Sequence, residues 1–311
     1  MGGRLDRIAV FDSGMGGLDV AAAISRALPS EDIIYLGDNA RVPYGTKSAS
    51  VVQQYTMEAA HWLKAKGIKA LVIACNTASA VMDHAKLESE LNVPVLGMIE
   101  AGVSAVQIGP ILLEPPKRLV VLATPGTIRS QAYQVAVKTK YPQVEITSVP
   151  CPLFVPLVEM GWERHPLTPK MVEAQLMEHR LLLEPVINRP GDEEVIYLLG
   201  CTHYPMMSQS ISEGISLVDS APFRCIDGAE SAASMLRQIL REKGLLRVNF
   251  ADDESSSQQH HEISETRDFG ARYAYFSDEP SHQAAIELAL RFWQNRGGVG
   301  ELSIQGMLKG V

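Results

Sequence analysis

The sequence lacks the features of several large classes of protein. No apolar run in its 311 residues approaches the roughly 18 needed to cross a bilayer, so we expect no membrane-spanning helix. Basic residues are fewer than acidic ones, 28 against 36, and the net charge of −8 argues against a general electrostatic partnership with nucleic acid. The N-terminal stretch has no apolar segment ending at a small-residue cleavage site, so we expect no secretory signal and a place in the cytoplasm.

Cysteine is scarce and widely spaced. The four thiols are Cys75, Cys151, Cys201 and Cys225, and no CxxC pair suggests a zinc ribbon or a thioredoxin motif. In the cytosol they should be reduced and free to react. The pair His260-His261 has no cysteine or third histidine nearby, so we predict a solvated loop there and no metal site.

Short runs of Val, Ile and Leu alternate with longer helical patterns, which indicates an α/β fold with parallel sheets covered by helices. A helix is predicted from about Ser48 to Lys66, with Gly67 at the position after its C-cap. The first four predicted strands are Arg7–Phe11, Ile33–Leu36, Ala70–Ala74 and Val93–Met98.

The second half of the chain repeats this theme. The segment from Arg118 to Thr127 parallels the one that begins at Arg7, and Val195 to His203 parallels Leu71 to Thr77. We therefore predict two pseudo-symmetric parallel-sheet sandwich domains with the active site in the cleft between them. In open α/β sheets, ligands bind at the carboxyl ends of the strands.

The end of the chain is harder to interpret. Residues 251–268 are polar and predict a surface loop or a disordered insert. A strand is expected at Ala271–Phe276, followed by a helix with Ile286, Leu290 and Trp293 on one side. The glycine-rich tail from Gly297 gives no prediction.

Cys75 and Cys201 each follow a strand, at or just before a predicted helix start. Unpaired backbone N–H groups and the helix dipole favour an anion there and should lower a thiol pKa. Thr77 and Thr202 follow the two cysteines, and each is suited both to capping a helix and to contacting a ligand.

Two thiols on opposite walls of one cleft suit a specific reaction, in which a proton leaves one face of a carbon and another arrives on the opposite face. At an amino-acid α-carbon, one cysteine must be thiolate and the other thiol. Donors for the substrate carboxylate could come from Ser13, Asn76, Thr77 and Thr202. No lysine stands where a pyridoxal Schiff base would need it, so we expect no cofactor.

Six segments together resemble the motifs of glutamate racemases, in that family's order and across nearly the whole chain. They are DSGMGGLDV from Asp12, YLGDNARVPYGTK from Tyr35, ACNTASA from Ala74, PVLGMIEAG from Pro94, CPLFVPLVEMG from Cys151 and LGCTHYP from Leu199. The related aspartate racemases usually carry a glutamate where this chain has His203.

The resemblance implies a cofactor-independent enzyme that interconverts L- and D-glutamate and supplies D-glutamate for peptidoglycan. Cys75 would be the base for the D-enantiomer and Cys201 the base for the L-enantiomer, with Asp12 and His203 assisting the two thiols. The implied substrate site comprises Asp12, Ser13, Tyr44, Gly45, Asn76, Thr77, Thr202 and His203. The implied outer polar shell contains Asp38 and Glu159.

The same resemblance implies a discontinuous first domain, here 1–100 with 226–311, a second domain of 101–225, and a homodimer. Asp219-Ser220 and Asp227-Gly228 both fit the family's segment before the return helix, and the helix predicted at Ala229–Leu240 favours the second. Cys151 and Cys225 follow no strand with a hydroxyl-rich helix start, so we predict that they are structural.

Two alternatives stay open. One is an aspartate racemase, because a pocket that discriminates one methylene is worth only about 1 to 3 kcal/mol. The other is a protein that binds glutamate or a partner without turnover, including the gyrase inhibition known in some members of the family.

Overall fold

The computed structural model describes residues 7–106, 116–190, 193–247, 271–276 and 283–306. The polar insert at 251–268, with His260 and His261, lies outside the described residues. The strands are β1 Arg7–Asp12, β2 Asp32–Gly37, β3 Ile68–Ile73, β4 Val95–Gly97, β5 Arg118–Ala123, β6 Glu145–Pro150, β7 Val195–Gly200, β8 Phe223–Ile226, β9 Arg272–Phe276 and β10 Leu302–Gly306.

The α-helices between these strands are α1 Leu18–Ala27, α2 Ala49–Ala65, α3 Asn76–Val81, α4 His84–Leu91, α5 Met98–Ala105, α6 Pro125–Ser130, α7 Ala132–Lys140, α8 Phe154–Glu159, α9 Thr168–Glu178, α10 Arg180–Ile187, α11 Ser208–Val218, α12 Ala229–Glu242 and α13 Gln283–Asn295. The α2 helix begins after Ser48, whose hydroxyl accepts a hydrogen bond from Val51 N, and Gly67 follows with a φ of +77°.

The strands form two parallel sheets, as the sequence predicts. The first sheet has the order β10-β9-β2-β1-β3-β4, and the second has the order β6-β5-β7-β8. In both, the central strands are buried along almost their whole length, since helices cover both faces. Three apolar clusters fill the spaces between sheets and helices, and the largest draws on both sheets.

The first sheet takes its strands from residues 7–97 and 272–306, and the second from residues 118–226. The division into domains of 1–100 with 226–311 and of 101–225 is compatible with this arrangement and stays a prediction. The tail from Gly297, for which there is no prediction, contains β10, which pairs with β9. In α13, Trp293 is buried whereas Ile286 and Leu290 are half-buried.

The fourth strand is shorter than Val93–Met98. It covers only Val95–Gly97, because Met98 begins α5 and donates its N–H to Ser79 Oγ at 2.9 Å. The structure also distinguishes Asp219 from Asp227 by their positions relative to β8. Asp219 precedes β8 and pairs with the buried Arg189, whereas Asp227 follows β8 and accepts a hydrogen bond from Ala229 N at 2.9 Å, at the start of α12.

Within the described ranges, no helix combines the length and the apolar character that crossing a membrane requires.

Candidate active site

The residues that follow the central strands of both sheets lie at the carboxyl ends of those strands. Asp12 ends β1, Cys75 comes shortly after β3, Thr124 directly follows β5, and Cys201 directly follows β7. Because a parallel sheet brings these ends to one edge, each half of the molecule presents one thiol and several polar groups at the carboxyl edge of its own sheet.

Cys75 is the N-cap residue of α3 and is 6% exposed. Its thiol donates a hydrogen bond to Ser13 Oγ at 3.4 Å. Burial raises the pKa of Cys75 to about 11, and the charge of Asp12 acts in the same direction. The contact with the Ser13 hydroxyl and the backbone N–H groups of Ala78 and Ser13 lower the pKa but do not outweigh burial, so the expected lowered pKa is wrong.

Cys201 is 8% exposed and lies in a different local structure. A short 3₁₀ turn, Tyr204–Met207, follows it, and α11 does not begin until Ser208, so the expected helix start is displaced. Burial raises the pKa of Cys201, partly offset by the His203 N–H, and the charges of Cys75 and Asp12 raise it further. The two thiols and the carboxylate of Asp12 are therefore close enough to interact electrostatically.

Asp12 links the two halves. It is fully buried, and its Oδ2 accepts a hydrogen bond from Gly14 N at 2.9 Å while its Oδ1 accepts one from Thr202 Oγ1 at 3.4 Å. Burial raises the pKa of Asp12, and the charge of His203 offsets part of that rise. Its charge in turn raises the pKa of both thiols.

The loop after β1 packs directly against the loop after β7. A Cβ atom at Gly16 would lie 2.5 Å from Thr202 Oγ1 and 2.6 Å from His203 Nδ1. Contacts this short are not tolerated, so only glycine fits between the halves at this point. The glycine-rich turn thus permits close packing of the two loops.

Asp38 and Tyr44 form a hydrogen-bonded pair on the first half. Asp38 Oδ2 accepts from Tyr44 Oη at 2.5 Å and from Arg41 Nε at 2.6 Å. Burial and this hydrogen bond raise the pKa of Tyr44, and the charge of Cys75 adds to the rise. Gly45 is buried against Thr124 of the second half, since a Cβ there would lie 2.7 Å from Thr124 Cβ.

Asn76 and Thr77 both reach across to the second half. Asn76 Oδ1 accepts a hydrogen bond from Tyr133 Oη at 2.7 Å. Thr77 Oγ1 lies 2.8 Å from Thr124 Oγ1 and 3.2 Å from Thr127 Oγ1. Thr77 is therefore no helix cap. Thr124 and Thr127 also belong to this region but are not among the predicted site residues, although the parallel between the segments from Arg7 and Arg118 indicates Thr124.

His203 and Glu159 lie together on the second half. His203 Nε2 is 3.3 Å from Glu159 Oε1, but the two atoms are not aligned as a hydrogen bond. Glu159 has 43% of its side chain exposed, so it lies at the rim of the region, whereas His203 is buried. The ring of His203 meets that of Phe292 edge to face, with centroids 5.3 Å apart.

The two remaining cysteines have other surroundings. Burial alone raises the pKa of Cys151, whose thiol donates to Val149 O at 3.6 Å. Cys225 accepts a hydrogen bond from Ser212 Oγ at 3.6 Å. These contacts are compatible with structural roles. Within the described part of the chain, no group of three or more His, Cys, Asp or Glu side chains could hold a metal ion.

A cavity of about 320 Å³ opens between the halves beside Thr77. Its lining includes Lys47 from the first half and Gly126 and Arg129 from the second. Arg129 donates to Lys47 O at 3.5 Å across the boundary. The lining contains Lys47 and Arg129 and, among the described residues, no acidic side chain, so this opening is positively charged.

Two α/β halves that face each other with a thiol, a carboxylate and hydroxyl groups define an enzyme class that works on small polar molecules by acid–base chemistry. Comparison with known proteins makes this specific. The chain belongs to the Asp/Glu/hydantoin racemase family, whose model matches residues 15–236.

Several relatives are glutamate racemases. The one from Geobacter metallireducens is 42% identical over 240 residues, which cover 77% of this chain and 82% of that protein. The solved glutamate racemase of Francisella tularensis, in complex with D-glutamate, has a TM-score of 0.74 at 31% identity, covering 96% of this chain and 97% of that one. The enzyme from Thermus thermophilus, in complex with β-chloro-D-alanine, has a TM-score of 0.70 at 30% identity, with 98% of each chain covered.

Proposed function

We propose that this protein interconverts L- and D-glutamate without a cofactor, with Cys75 and Cys201 as the two acid–base groups. The observation that carries the proposal is the burial of both thiols beside one carboxylate, Asp12, at the carboxyl ends of strands from two different sheets. The names of the relatives support glutamate as the substrate.

The reaction needs two proton transfers on opposite faces of the α-carbon. With D-glutamate bound, the Cys75 thiolate takes the α-proton, and the electrons of the broken C–H bond move onto the α-carbon and its carboxylate. The Cys201 thiol then gives its proton to the other face, which yields L-glutamate and leaves Cys75 as thiol and Cys201 as thiolate. The reverse reaction exchanges these roles.

The raised pKa values suit this chemistry. A thiolate whose pKa is raised by burial is a stronger base toward an unactivated α-proton, although less of it is present at neutral pH. Asp12 interacts with both thiols, and His203 with Glu159 lies on the Cys201 side. These three groups are proposed to assist proton transfer.

The remaining predicted site residues would hold the substrate. The hydroxyl groups of Ser13, Thr77 and Thr202 and the amide of Asn76 are donors for its carboxylates, with Tyr44 and Gly45 on the same wall. Thr124 and Thr127 join this set because they contact Thr77. Lys47 and Arg129 at the cavity mouth favour the approach of an anion.

The cellular role that we propose follows from the product. D-Glutamate made in the cytoplasm would supply peptidoglycan synthesis, and the protein would act as a homodimer.

The test is the activity of Cys75→Ser and Cys201→Ser, followed by circular dichroism of the glutamate. Each should lower kcat/KM by about 10³-fold or more, at the upper end of what an acid–base group contributes. Cys225→Ser is the matched control and should keep its activity. In heavy water, the product enantiomer should acquire deuterium at the α-carbon. Full activity in either active-site variant would overturn the mechanism.

The same assay on aspartate separates the two substrates. A shorter substrate leaves one methylene of the pocket unfilled, so glutamate should be favoured by roughly 10- to 200-fold in kcat/KM. Equal turnover of both would indicate an aspartate/glutamate racemase, and binding without turnover of either would indicate a non-catalytic protein.

A further inference from the structure

The helix α13 contacts His203 from the other half of the molecule. It lies between two strands of the first sheet in the chain, whereas His203 follows β7 of the second sheet. Phe292, on α13, is 0% exposed, and its ring stands at 79° to the imidazole ring of His203, with centroids 5.3 Å apart. This is a favourable edge-to-face arrangement.

Within the described part of the chain, no hydrogen bond holds the ring of His203. Its Nε2 is buried without a hydrogen-bond partner among the described residues, and the Glu159 oxygen at 3.3 Å is poorly aligned. Gly16 leaves no space beside Nδ1. The imidazole is therefore oriented by packing, with the backbone of Gly16 at one edge and the ring of Phe292 against it.

The same helix also holds the segment that follows Glu159. Arg291 forms an ion pair with Glu163, whose backbone carbonyl accepts a hydrogen bond from Ser210 Oγ at 2.7 Å. Just beyond α13, Arg296 pairs with Asp19 at 2.7 Å and with Asp227 at 2.8 Å. The helix is thus anchored at one end and contacts both His203 and Glu163, which lies four residues after Glu159.

We propose that Phe292 is a positioning residue for the proton transfer at Cys201, and that Arg291 contributes by holding the Glu159 segment through Glu163. The proposal rests on the proposed function, because it assumes that His203 assists Cys201. Neither residue reaches the reacting atoms. Loss of the ring would let the imidazole rotate away from the Cys201 side, and small displacements of acid–base groups lower rates strongly.

This role predicts an effect that depends on direction. The two enantiomers have equal free energy in water, so kcat/KM must fall by the same factor from either side. The primary deuterium isotope effects measured from L-glutamate and from D-glutamate, however, can change in opposite directions. With α-deuterated L-glutamate, abstraction by Cys201 becomes slower than the step that follows, so the isotope effect on kcat/KM should rise. With α-deuterated D-glutamate, abstraction by Cys75 becomes less rate-limiting, so the isotope effect on kcat/KM should fall.

The experiment compares Phe292→Leu with Phe223→Leu. Phe223, on β8, forms a similar edge-to-face pair with Tyr197, with ring centroids 5.6 Å apart and an angle of 78° between the ring planes. Neither ring belongs to the proposed site. Phe292→Leu should lower kcat/KM about 10-fold, with a larger change in kcat than in KM, and should separate the two isotope effects. Phe223→Leu should leave both isotope effects unchanged. Phe292→Tyr, which keeps a ring, should restore most of the loss.

Arg291→Gln decides the outcome if Phe292→Leu does not fold, because Arg291 is partly exposed and its loss creates no cavity. It should separate the isotope effects in the same sense, to a smaller extent. Isotope effects that stay unchanged, or move together, in the folded variants would overturn the proposal while leaving the racemase intact. Absence of racemisation in the unaltered protein would overturn the proposed function, and this inference with it.

Discussion

The two thiols have differently built surroundings. Around Cys75, positions are set by hydrogen bonds, such as Ser13 with the thiol and Tyr44 with Asp38. Around Cys201, the imidazole of His203 is set by packing against Gly16 and Phe292, which are far away in the chain. The Cys75 side is held by hydrogen bonds, whereas the imidazole on the Cys201 side is held by packing.

Asp12 belongs to both sides. It ends a central strand of the first sheet, accepts a hydrogen bond from Thr202 of the second half, and raises the pKa of both thiols. A change at Asp12 should therefore affect both proton transfers equally, whereas a change near His203 should affect one.

Apart from the two cysteine variants, the largest effect is expected for Asp12→Asn, which should lower kcat/KM about 10²-fold. An amide can keep the contacts with Gly14 N and Thr202 Oγ1, but it cannot carry charge or exchange the proton. Because burial raises the pKa of Asp12, the native state disfavours its charged form at neutral pH, and removal of that charge should not lower the free energy of unfolding.

Asp219→Asn is the contrasting variant. It would leave the buried guanidinium of Arg189 without its carboxylate, so the free energy of unfolding should fall by about 3 to 5 kcal/mol while the folded enzyme stays active. Urea unfolding of both variants beside the activity assay measures the difference. Marked destabilisation by Asp12→Asn would show that Asp12 serves the fold rather than the reaction.

An intermediate effect is expected on stability at alkaline pH. Burial raises the pKa of Cys75 from 9.0 to about 11. Below pH 9 both states keep the proton and stability is unaffected. Above it the unfolded chain loses the proton and the folded chain keeps it, so the free energy of unfolding falls with rising pH, by about 1.4 kcal/mol per pH unit from this group.

Urea unfolding of the unaltered protein and of Cys75→Ala, at several pH values between 9 and 11, checks this sign. The unaltered protein should lose more stability than the variant as the pH rises. Cys201→Ala extends the comparison to the other side and should behave in the same sense, since burial raises that pKa too. If the difference in free energy of unfolding between the unaltered protein and each variant did not change with pH, the raised thiol pKa would be contradicted.

Sequence and structure agree best where the deciding interactions are local. The central strands, the residues that follow them and the helix that ends before Gly67 depend on short patterns, and the structure has them close to the predicted positions. The thiol pKa was predicted with the wrong sign because a helix start is a local feature, whereas burial comes from the tertiary fold. Thr127 and Phe292 are not among the predicted site residues because only the packing of one half on the other makes them neighbours of the site.

The smallest effect is expected on the Cys75 side, where the hydrogen bonds are redundant. Tyr44→Phe removes one donor to Asp38 Oδ2, but Arg41 Nε still donates to the same oxygen at 2.6 Å. The loss of one such bond is worth about 1 kcal/mol, so kcat/KM should fall about 5-fold, with equal deuterium isotope effects from the two enantiomers. Tyr133→Phe, which frees Asn76 Oδ1, is the matched control for losing a buried hydroxyl and should mainly raise KM. If Tyr44→Phe instead separated the isotope effects as strongly as Phe292→Leu, the Cys75 side would depend on a single contact, and the contrast between a redundantly bonded side and a packed one would fail.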